Sequence, residues 1–255
     1  MGIYDALVLA DSPLFTYYPP PGLDPSSSWV TVYPNATLPV FYYSTETPVA
    51  SVQFDFYGNE VGLIAPGEPG CGYTISINGV FQNHTFHQSF DLPVGQYHVE
   101  LDVACQPGQS MAFEGVILSE TQGPNDLIDD TVTLTKNDIR TTGLWEEKVV
   151  YSPYYLANFT QFQTYLPGST LSYTFKGVQT QIIGTVGPQS GSLQVTIDGQ
   201  PSKILSTYRP GYDDTVVLYL KQFLDNYEEH TVEVTNLGQN LTILQMNYDV
   251  LAPET

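Results

Sequence analysis

The clearest strand pattern in the chain is SYTFKGVQTQIIGTV at residues 172–186, with SGSLQVTIDG after it at residues 190–199. Apolar residues recur at every second position and glycine interrupts the run, which indicates a strand, a turn and another strand. The Asp198-Gly199 dipeptide that ends the stretch is typical of a type I′ hairpin, in which both central residues need a positive φ. The stretch therefore predicts an antiparallel sheet.

The same pattern occurs earlier in the chain, as SVQFDFYGNEVGLIA at residues 51–65 and CGYTISING at residues 71–79. That copy also ends in a hairpin signal, Asn78-Gly79. Two closing segments match as well: HVELDV at 98–103 with TVEVTN at 231–236, and FEGVIL at 113–118 with MNYDVL at 246–251. We therefore predict two homologous β-sandwiches in tandem, the first at residues 1–122 and the second at residues 123–255.

Only one segment competes with an all-β interpretation. The sequence TVVLYLKQFLDN at residues 215–226 is helix-like, although its β-branched start is equally consistent with a strand. Turn signals recur throughout the chain at the short intervals that sandwiches require. The sequence as a whole predicts an all-β protein.

The charge of the chain limits its partners. Acidic residues number 27 against 7 basic ones, and every Lys and Arg lies at or after Lys136. Nucleic acid and anionic membranes both need Lys and Arg to neutralise phosphates, so we expect no nucleic acid and no direct membrane contact. Solubility is the simpler explanation of the acidity.

Four sequons and two cysteines indicate the compartment. The sequons predict N-glycosylation at Asn35, Asn83, Asn158 and Asn240. Cys71 and Cys105 are the only cysteines and both lie in the first copy, so we predict that they form a disulfide, with two buried free thiols as the alternative. We expect a secreted protein, or one on the extracellular face of the cell surface.

Two segments mix aromatic and polar side chains in the way that sugar recognition requires, with rings for the pyranose face and carboxylates for the hydroxyls. The candidate carbohydrate-binding residues are Trp145, Tyr151, Tyr154, Tyr155, Tyr208, Arg209, Tyr212, Asp213 and Asp214. The alternative for Trp145 is a place in the core between the sheets. The alternative for Tyr212 and the two aspartates is ordinary turn chemistry.

The second half of the chain resembles a family. The segments LIDDTVTLTKNDIRTTGLWEE, YRPGYDDTVVLYL and EHTVEVTNLGQNLTILQMNYDVL are similar to the ectodomains of surface proteins of mushroom-forming (basidiomycete) fungi. The resemblance implies a galactose-binding-like jelly roll, the shape of many carbohydrate-binding modules. It also implies a polar stalk and a membrane helix beyond the C-terminus.

The resemblance further implies a structural calcium ion, and we expect no other cofactor. Its ligands would be Asp126, Asp129 and Asp130, before the second sandwich, with Asp249 on the closing strand. The alternative is that these acids are solvated loop residues, with Asn125 and Asp126 making turns. Val116 replaces Asp249 in the first copy, so we expect no such ion there.

These features favour a carbohydrate-binding protein without catalysis. The first alternative is a glycoside hydrolase of fungal wall polysaccharide with an acidic cleft between the domains. Such an enzyme needs two carboxyl groups, and adjacent acids on one strand point to opposite faces, so the pair must come from two loops. The second alternative is a structural or adhesive ectodomain that binds another protein.

Overall fold

The computed structural model describes residues 3–33, 42–67, 69–83, 86, 89–121, 128–152, 157–202 and 204–251. Within these residues the regular structure is β-strand, apart from one 3-10 turn at Lys136–Asp138, so the prediction of an all-β chain is confirmed. The chain divides into two compact units, Ile3–Thr121 and a second that contains Gln122–Thr255. The predicted boundary between residues 122 and 123 falls in a segment outside the described residues.

The described part of the first unit contains ten strands. They are β1 (Ile3–Leu9), β2 (Thr16–Tyr18), β3 (Val30–Val32), β4 (Tyr42–Thr45), β5 (Ala50–Ile64), β6 (Gly72–Ile77), β7 (Val80–Gln82), β8 (Ser89–Ala104), β9 (Met111–Phe113) and β10 (Gly115–Thr121). One sheet has the order β1-β10-β5-β8-β6-β7 with β2 beside β5, and the other has the order β3-β4-β9.

Aromatic rings fill the space between these two sheets. The ring of Phe15 lies 5.4 Å from that of Phe54 on the larger sheet and 5.3 Å from that of Phe113 on the smaller one. Trp29 and Tyr43 are fully buried beside them. Edge-to-face contacts of this kind add to the burial of apolar area, so this cluster joins the two layers.

Glycine has a different effect in the two halves of the chain. In the first half the expected break at Gly58 does not occur, since β5 runs through it with a bulge between Gly58 and Glu60. A bulge bends a strand without ending it. In the second half the chain does break at Gly177, where an added Cβ would lie 2.3 Å from the carbonyl oxygen of Asp249. Only glycine permits that close approach.

The described part of the second unit contains twelve strands. They are β11 (Ile128–Thr133), β12 (Ile139–Thr142), β13 (Glu146–Ser152), β14 (Ala157–Thr164), β15 (Thr170–Phe175), β16 (Gln179–Val186), β17 (Ser192–Ile197), β18 (Gln200–Pro201), β19 (Leu205–Ser206), β20 (Asp213–Lys221), β21 (His230–Asn236) and β22 (Leu241–Leu251). The helix-like segment at residues 215–226 thus contributes mainly to strand β20.

Two sheets form a sandwich in this second unit. The first has the order β13-β14-β22-β16-β20 with β11 beside β22, and the second has the order β12-β15-β21-β17-β18 with β19 beside β17. Consecutive strands alternate between the sheets from β15 to β17 and again from β20 to β22, which is the wrapping of a jelly roll. The hydroxyl groups of Tyr173 and Thr180 lie 2.7 Å apart and join the two layers.

The two predicted hairpins have the same backbone. Asn78 and Asp198 both have a φ of 50°, and Gly79 and Gly199 follow with φ of 75° and 76°. The side-chain oxygen of Asn78 accepts a hydrogen bond of 2.8 Å from the N–H of His98. Asp198 accepts one of 2.8 Å from the N–H of Thr231. The sequence pairs His98 with Thr231 in the two copies, so both copies use the same turn and the same bond.

The predicted disulfide is present in the first unit. Cys71 and Cys105 are bonded, and their Cα atoms are 4.6 Å apart. Cys71 directly precedes β6 and Cys105 directly follows β8, and these two strands are neighbours in the sheet. The bond therefore joins the ends of two paired strands.

Candidate functional site

A groove of about 280 Å³ opens at one end of the second sandwich. It lies between the segment at residues 144–146 and the segment at residues 163–166. The first segment leads into β13 and the second leaves β14, and these two strands are paired with Glu146 opposite Gln163. The hairpin of β13 and β14 thus brings together its two ends, which include Glu146 and Gln163. We call this site the Trp145 groove.

Trp145 forms one wall of the groove and closes the end of the sandwich. Its indole N–H donates to the carbonyl oxygens of Thr142, at 3.1 Å, and Thr170, at 2.8 Å. These carbonyls belong to β12 and β15, in the sheet opposite the one that Trp145 leads into. The indole is half-buried. It therefore lies at the end of the sandwich, with part of its surface facing the groove, rather than inside the core.

A tight turn holds the segment that carries Trp145. Gly143 has a φ of +79°, and an added Cβ there would lie 2.5 Å from Oγ of Ser169. The same Oγ accepts a hydrogen bond of 3.3 Å from the N–H of Leu144. Both the positive φ and the short distance to Ser169 require glycine at position 143. The sequence Gly-Leu-Trp therefore fixes the direction in which the indole projects.

The opposite wall combines an exposed ring with an amide. Tyr165 is 59% exposed, and its hydroxyl oxygen accepts a hydrogen bond of 2.7 Å from Nε2 of Gln163. The same nitrogen donates to Oδ1 of Asn240 at 3.0 Å. The groove therefore presents two aromatic rings beside polar groups that are held in place.

The charged groups at the rim neutralise each other. Nζ of Lys148 lies 3.1 Å from a carboxylate oxygen of Glu146 and 3.4 Å from Oε1 of Gln163. Glu146 is the only carboxylate among the residues that line the groove in the described part of the chain. The rest of the lining is apolar, apart from the amide of Gln163 and the hydroxyl groups of Thr164 and Tyr165.

A buried asparagine supports the loops beside the groove. The side chain of Asn236 is fully buried, and its Nδ2 donates to the carbonyl oxygens of Leu166, at 3.2 Å, and Gln239, at 3.3 Å. Its Oδ1 accepts from the N–H of Gly238 at 3.0 Å. One amide thus connects the loop that carries Tyr165 with the loop that leads to Asn240.

The predicted sugar-binding residues separate into two places. Tyr151 is exposed on β13, six residues from Trp145, which is about 20 Å along an extended strand. It is therefore distant from the groove, and Tyr154 and Tyr155 lie outside the described residues. Of the two candidates described in the segment at 145–155, Trp145 lines the groove and Tyr151 does not.

The other predicted residues lie at the start of β20. Tyr208 and Tyr212 are exposed, whereas Arg209 is buried and donates to the carbonyl oxygens of Ser206 and Tyr208. Oδ1 of Asp213 accepts a hydrogen bond of 3.2 Å from the N–H of Thr215. Asp214 lies on the same strand, and its side chain is outside the described part of the structure.

The described residues do not form the calcium site that the resemblance implies. Asp126 and the side chains of Asp129 and Asp130 lie outside the described part of the structure. Asp249 is buried, and its Oδ2 accepts a hydrogen bond of 2.8 Å from Nε2 of Gln179. Burial raises the pKa of this carboxyl group, although hydrogen bonds lower it in part. No three His, Cys, Asp or Glu side chains among those described are grouped to hold a metal, so calcium stays a prediction.

The predicted glycosylation sites differ in exposure. Asn83 and Asn158 are exposed, whereas Asn240 is half-buried and bonded to Gln163 at the groove. Asn35 lies outside the described residues.

Sequence reasoning missed Gln163, Tyr165 and the role of Asn240 beside Trp145. The available signal was an aromatic residue, Tyr165, two positions before a Pro167-Gly168 turn.

Comparison with known proteins identifies no family. No protein-family model matches the sequence, and no curated protein matches it. Among solved structures, a xanthan lyase from Paenibacillus is 13% identical, with a TM-score of 0.32; the match covers 89% of this chain and 25% of the lyase. An isomalto-dextranase from Arthrobacter globiformis T6, complexed with panose, is 9% identical, with a TM-score of 0.30 and coverage of 81% and 36%.

A third structure is matched over nearly its whole length. A conserved protein of unknown function from Pseudomonas aeruginosa PAO1 is 9% identical, with a TM-score of 0.23 and coverage of 97% and 99%. This chain thus spans a quarter of the lyase and about a third of the dextranase. At these scores the structures are too different for a function to be transferred to this chain.

Proposed function

We propose that this protein binds neutral carbohydrate in the Trp145 groove, without catalysis. The observation that carries the proposal is that two partly exposed rings, Trp145 and Tyr165, line one groove together with the amide of Gln163. Aromatic faces pack on the apolar face of a pyranose, and fixed amides exchange hydrogen bonds with its hydroxyl groups. A groove with apolar walls and few polar groups is the usual form of a small-ligand site.

The charges favour a neutral glycan over an acidic one. The chain has a net charge of −20, which repels a polyanion. The cation at the groove, Lys148, is already paired with Glu146. An anionic sugar would have to displace that carboxylate, whereas a neutral sugar needs only hydrogen bonds.

The groove supports binding better than hydrolysis. Glycoside hydrolysis needs two carboxyl groups roughly 5 to 10 Å apart on the two sides of the scissile bond. Glu146 is the single carboxylate in the described lining of the groove, and it is held in an ion pair. The groove therefore offers one of the two groups that the reaction requires.

We further propose that the protein is secreted or displayed at the cell surface. Both cysteines of the chain form a disulfide, and such bonds persist in oxidising compartments. The exposed sequon asparagines Asn83 and Asn158 are accessible to glycosylation.

The shared hairpin bonds at Asn78 and Asp198 support an origin of the two units by duplication. The basidiomycete origin rests on the sequence resemblance.

The test is binding to an array of neutral and acidic polysaccharides. The variants Trp145→Ala and Tyr165→Ala remove one ring each, and Tyr227→Ala is the matched control, since Tyr227 is an exposed tyrosine in the loop at the opposite end of β20. We expect binding to neutral glycans that both groove variants lose and the control keeps. Release of reducing ends from a bound glycan would favour the hydrolase alternative. Binding to none of the glycans would favour the adhesive one.

A further inference from the structure

Two exposed tyrosines form a second aromatic surface in the same unit. Tyr208 is 53% exposed and Tyr212 is 66% exposed. The backbone of Tyr208 forms a β-bridge with Gly187, and an added Cβ at Gly187 would lie 3.2 Å from a ring carbon of Tyr212. The absence of a side chain at Gly187 lets the ring of Tyr212 lie close to the backbone. We call Tyr208 and Tyr212 the tyrosine patch.

The loop that carries the patch is held rigidly. The N–H of Gly187 donates to the carbonyl of Thr207 at 3.1 Å, and the N–H of Arg209 donates to the carbonyl of Gly187 at 3.2 Å. Oγ1 of Thr207 donates to the carbonyl of Gly191 at 2.9 Å. The buried guanidinium of Arg209 bonds to two carbonyls of its own loop. A ring held on a fixed loop loses little entropy when it binds a ligand.

The patch and the Trp145 groove lie at the same end of one sheet. Trp145 directly precedes β13 and Tyr212 directly precedes β20, and these are the two edge strands in the order β13-β14-β22-β16-β20. Each pair of neighbours in this order is antiparallel, so β13 and β20 run in the same direction and begin at the same end. Four strand spacings separate them, about 19 Å.

Polar groups connect the two aromatic sites across this end. Asn240 accepts a hydrogen bond from Gln163 at the groove. The backbone of Asn240 pairs with Ser190, and its carbonyl accepts from the N–H of Gly191 at 2.9 Å. Ser190 and Gly191 lie in the loop at residues 187–191, which begins at Gly187 beneath the patch. Hydrogen bonds through Asn240 therefore connect the loops of the two sites at this end of the sheet.

From this arrangement we infer that the tyrosine patch is a second glycan contact, and that the ligand is a neutral polysaccharide chain long enough to reach from the groove to the patch. The inference rests on the proposed function of the groove. A monosaccharide can occupy only one of the two sites. A chain that engages both converts the second contact into an intramolecular one, which strengthens binding without new contacts at the first site.

The test is a series of neutral oligosaccharides of increasing length, taken from the polysaccharide that binds best on the array. Affinities are measured by calorimetry for the natural protein, for the double variant Tyr208→Ala/Tyr212→Ala and for the Tyr227→Ala control. In the natural protein we expect the affinity to rise by at least about tenfold once the chain can span both sites. The double variant should lose this rise and keep its affinity for the shortest ligands.

The outcomes separate this inference from the proposed function. Equal affinities of the natural protein and the double variant for long chains would overturn the second contact, while loss of binding in Trp145→Ala would still support the groove. Failure of every neutral glycan to bind would overturn both. A melting curve of the double variant that matches the natural protein shows that the fold is intact, which the exposure of both rings leads us to expect.

Discussion

Nδ1 of His230 lies 2.7 Å from a carboxylate oxygen of Asp198, and Nε2 of the same ring lies 2.8 Å from the carbonyl oxygen of Asp225. Both ring nitrogens thus face acceptors, which only the protonated ring satisfies with two donors. Burial lowers the pKa of His230. The bonds to Asp198 and Asp225 and the nearby Glu228 raise it by more, so the pKa is raised overall. The hydrogen bonds to His230 and Thr231 lower the pKa of Asp198 although burial raises it.

This pair predicts how the stability of the second unit depends on pH. A histidine whose pKa is raised by folding stabilises fully below its unfolded value and loses that contribution as pH rises through the folded value. Asp198 acts in the opposite direction, so its contribution is lost as pH falls through its lowered pKa. We expect the pair to stabilise the folded state most at pH values between the pKa of Asp198 and the pKa of His230. The contribution should be about 1 kcal/mol, since Asp198 is 42% exposed and water screens it.

The measurement is chemical denaturation of the natural protein and His230→Gln at several pH values. The difference between the two should shrink as the pH is raised from 6 to 9. The control is His98→Gln, since His98 makes a bond of the same length to Asp55 but its side chain is 48% exposed, against 6% for His230. A difference between the natural protein and His230→Gln that stays constant over this range would contradict the prediction.

The disulfide should contribute strongly to the first unit. Cys71 and Cys105 are 34 residues apart, and closing a loop of that length restricts the unfolded chain by about 3 to 4 kcal/mol. The double variant Cys71→Ser/Cys105→Ser should therefore lower the free energy of unfolding by about that amount. Denaturant titration followed by the emission of Trp29, in a Trp145→Phe background, reports on this unit alone. Unchanged unfolding, or two alkylatable thiols in unreduced protein, would contradict the prediction.

Asn236 should position the groove without contacting a ligand. The change Asn236→Ala removes the three hydrogen bonds that a buried side chain makes with partly buried backbone groups, and we expect a loss of about 3 kcal/mol in stability. The carbonyl groups of Leu166 and Gln239 lose their shared partner in this variant. Glycan affinity should therefore fall even at temperatures at which the variant is fully folded. Asn226→Ala is the control, since it removes one bond, to Leu251, at the other end of the sandwich. Unchanged affinity in Asn236→Ala would show that the amide is only structural.

Local patterns in the sequence predicted the strands, the hairpins and the disulfide because these depend on neighbouring residues. The turns at Asn78-Gly79 and Asp198-Gly199 need a positive φ wherever they occur. The cysteines could be paired because each lies at the end of a recognisable strand. The continuous course of β5 through Gly58 was not predicted, since a bulge depends on the partner strand as well as on the glycine.

The groove could not be predicted in the same way. Grouping by sequence joined Trp145 to Tyr151, whereas an extended strand separates them. The actual neighbours of Trp145 are Gln163 and Tyr165, which the register of β13 with β14 brings beside it. Asn240 arrives through a third strand, β22. Such a site depends on pairing between distant segments, and no local pattern encodes that register.

The emission of Trp145 reports directly on whether a glycan occupies the groove. The chain has two tryptophans, and Trp29 is fully buried in the first unit, so Trp145 is the indole that a ligand in the groove can reach. Titration with a neutral oligosaccharide should produce a saturable change in emission, at the same affinity as calorimetry, and Trp145→Phe should show no change. A glycan that binds by calorimetry while leaving the emission constant, or a change that persists in Trp145→Phe, would contradict the account.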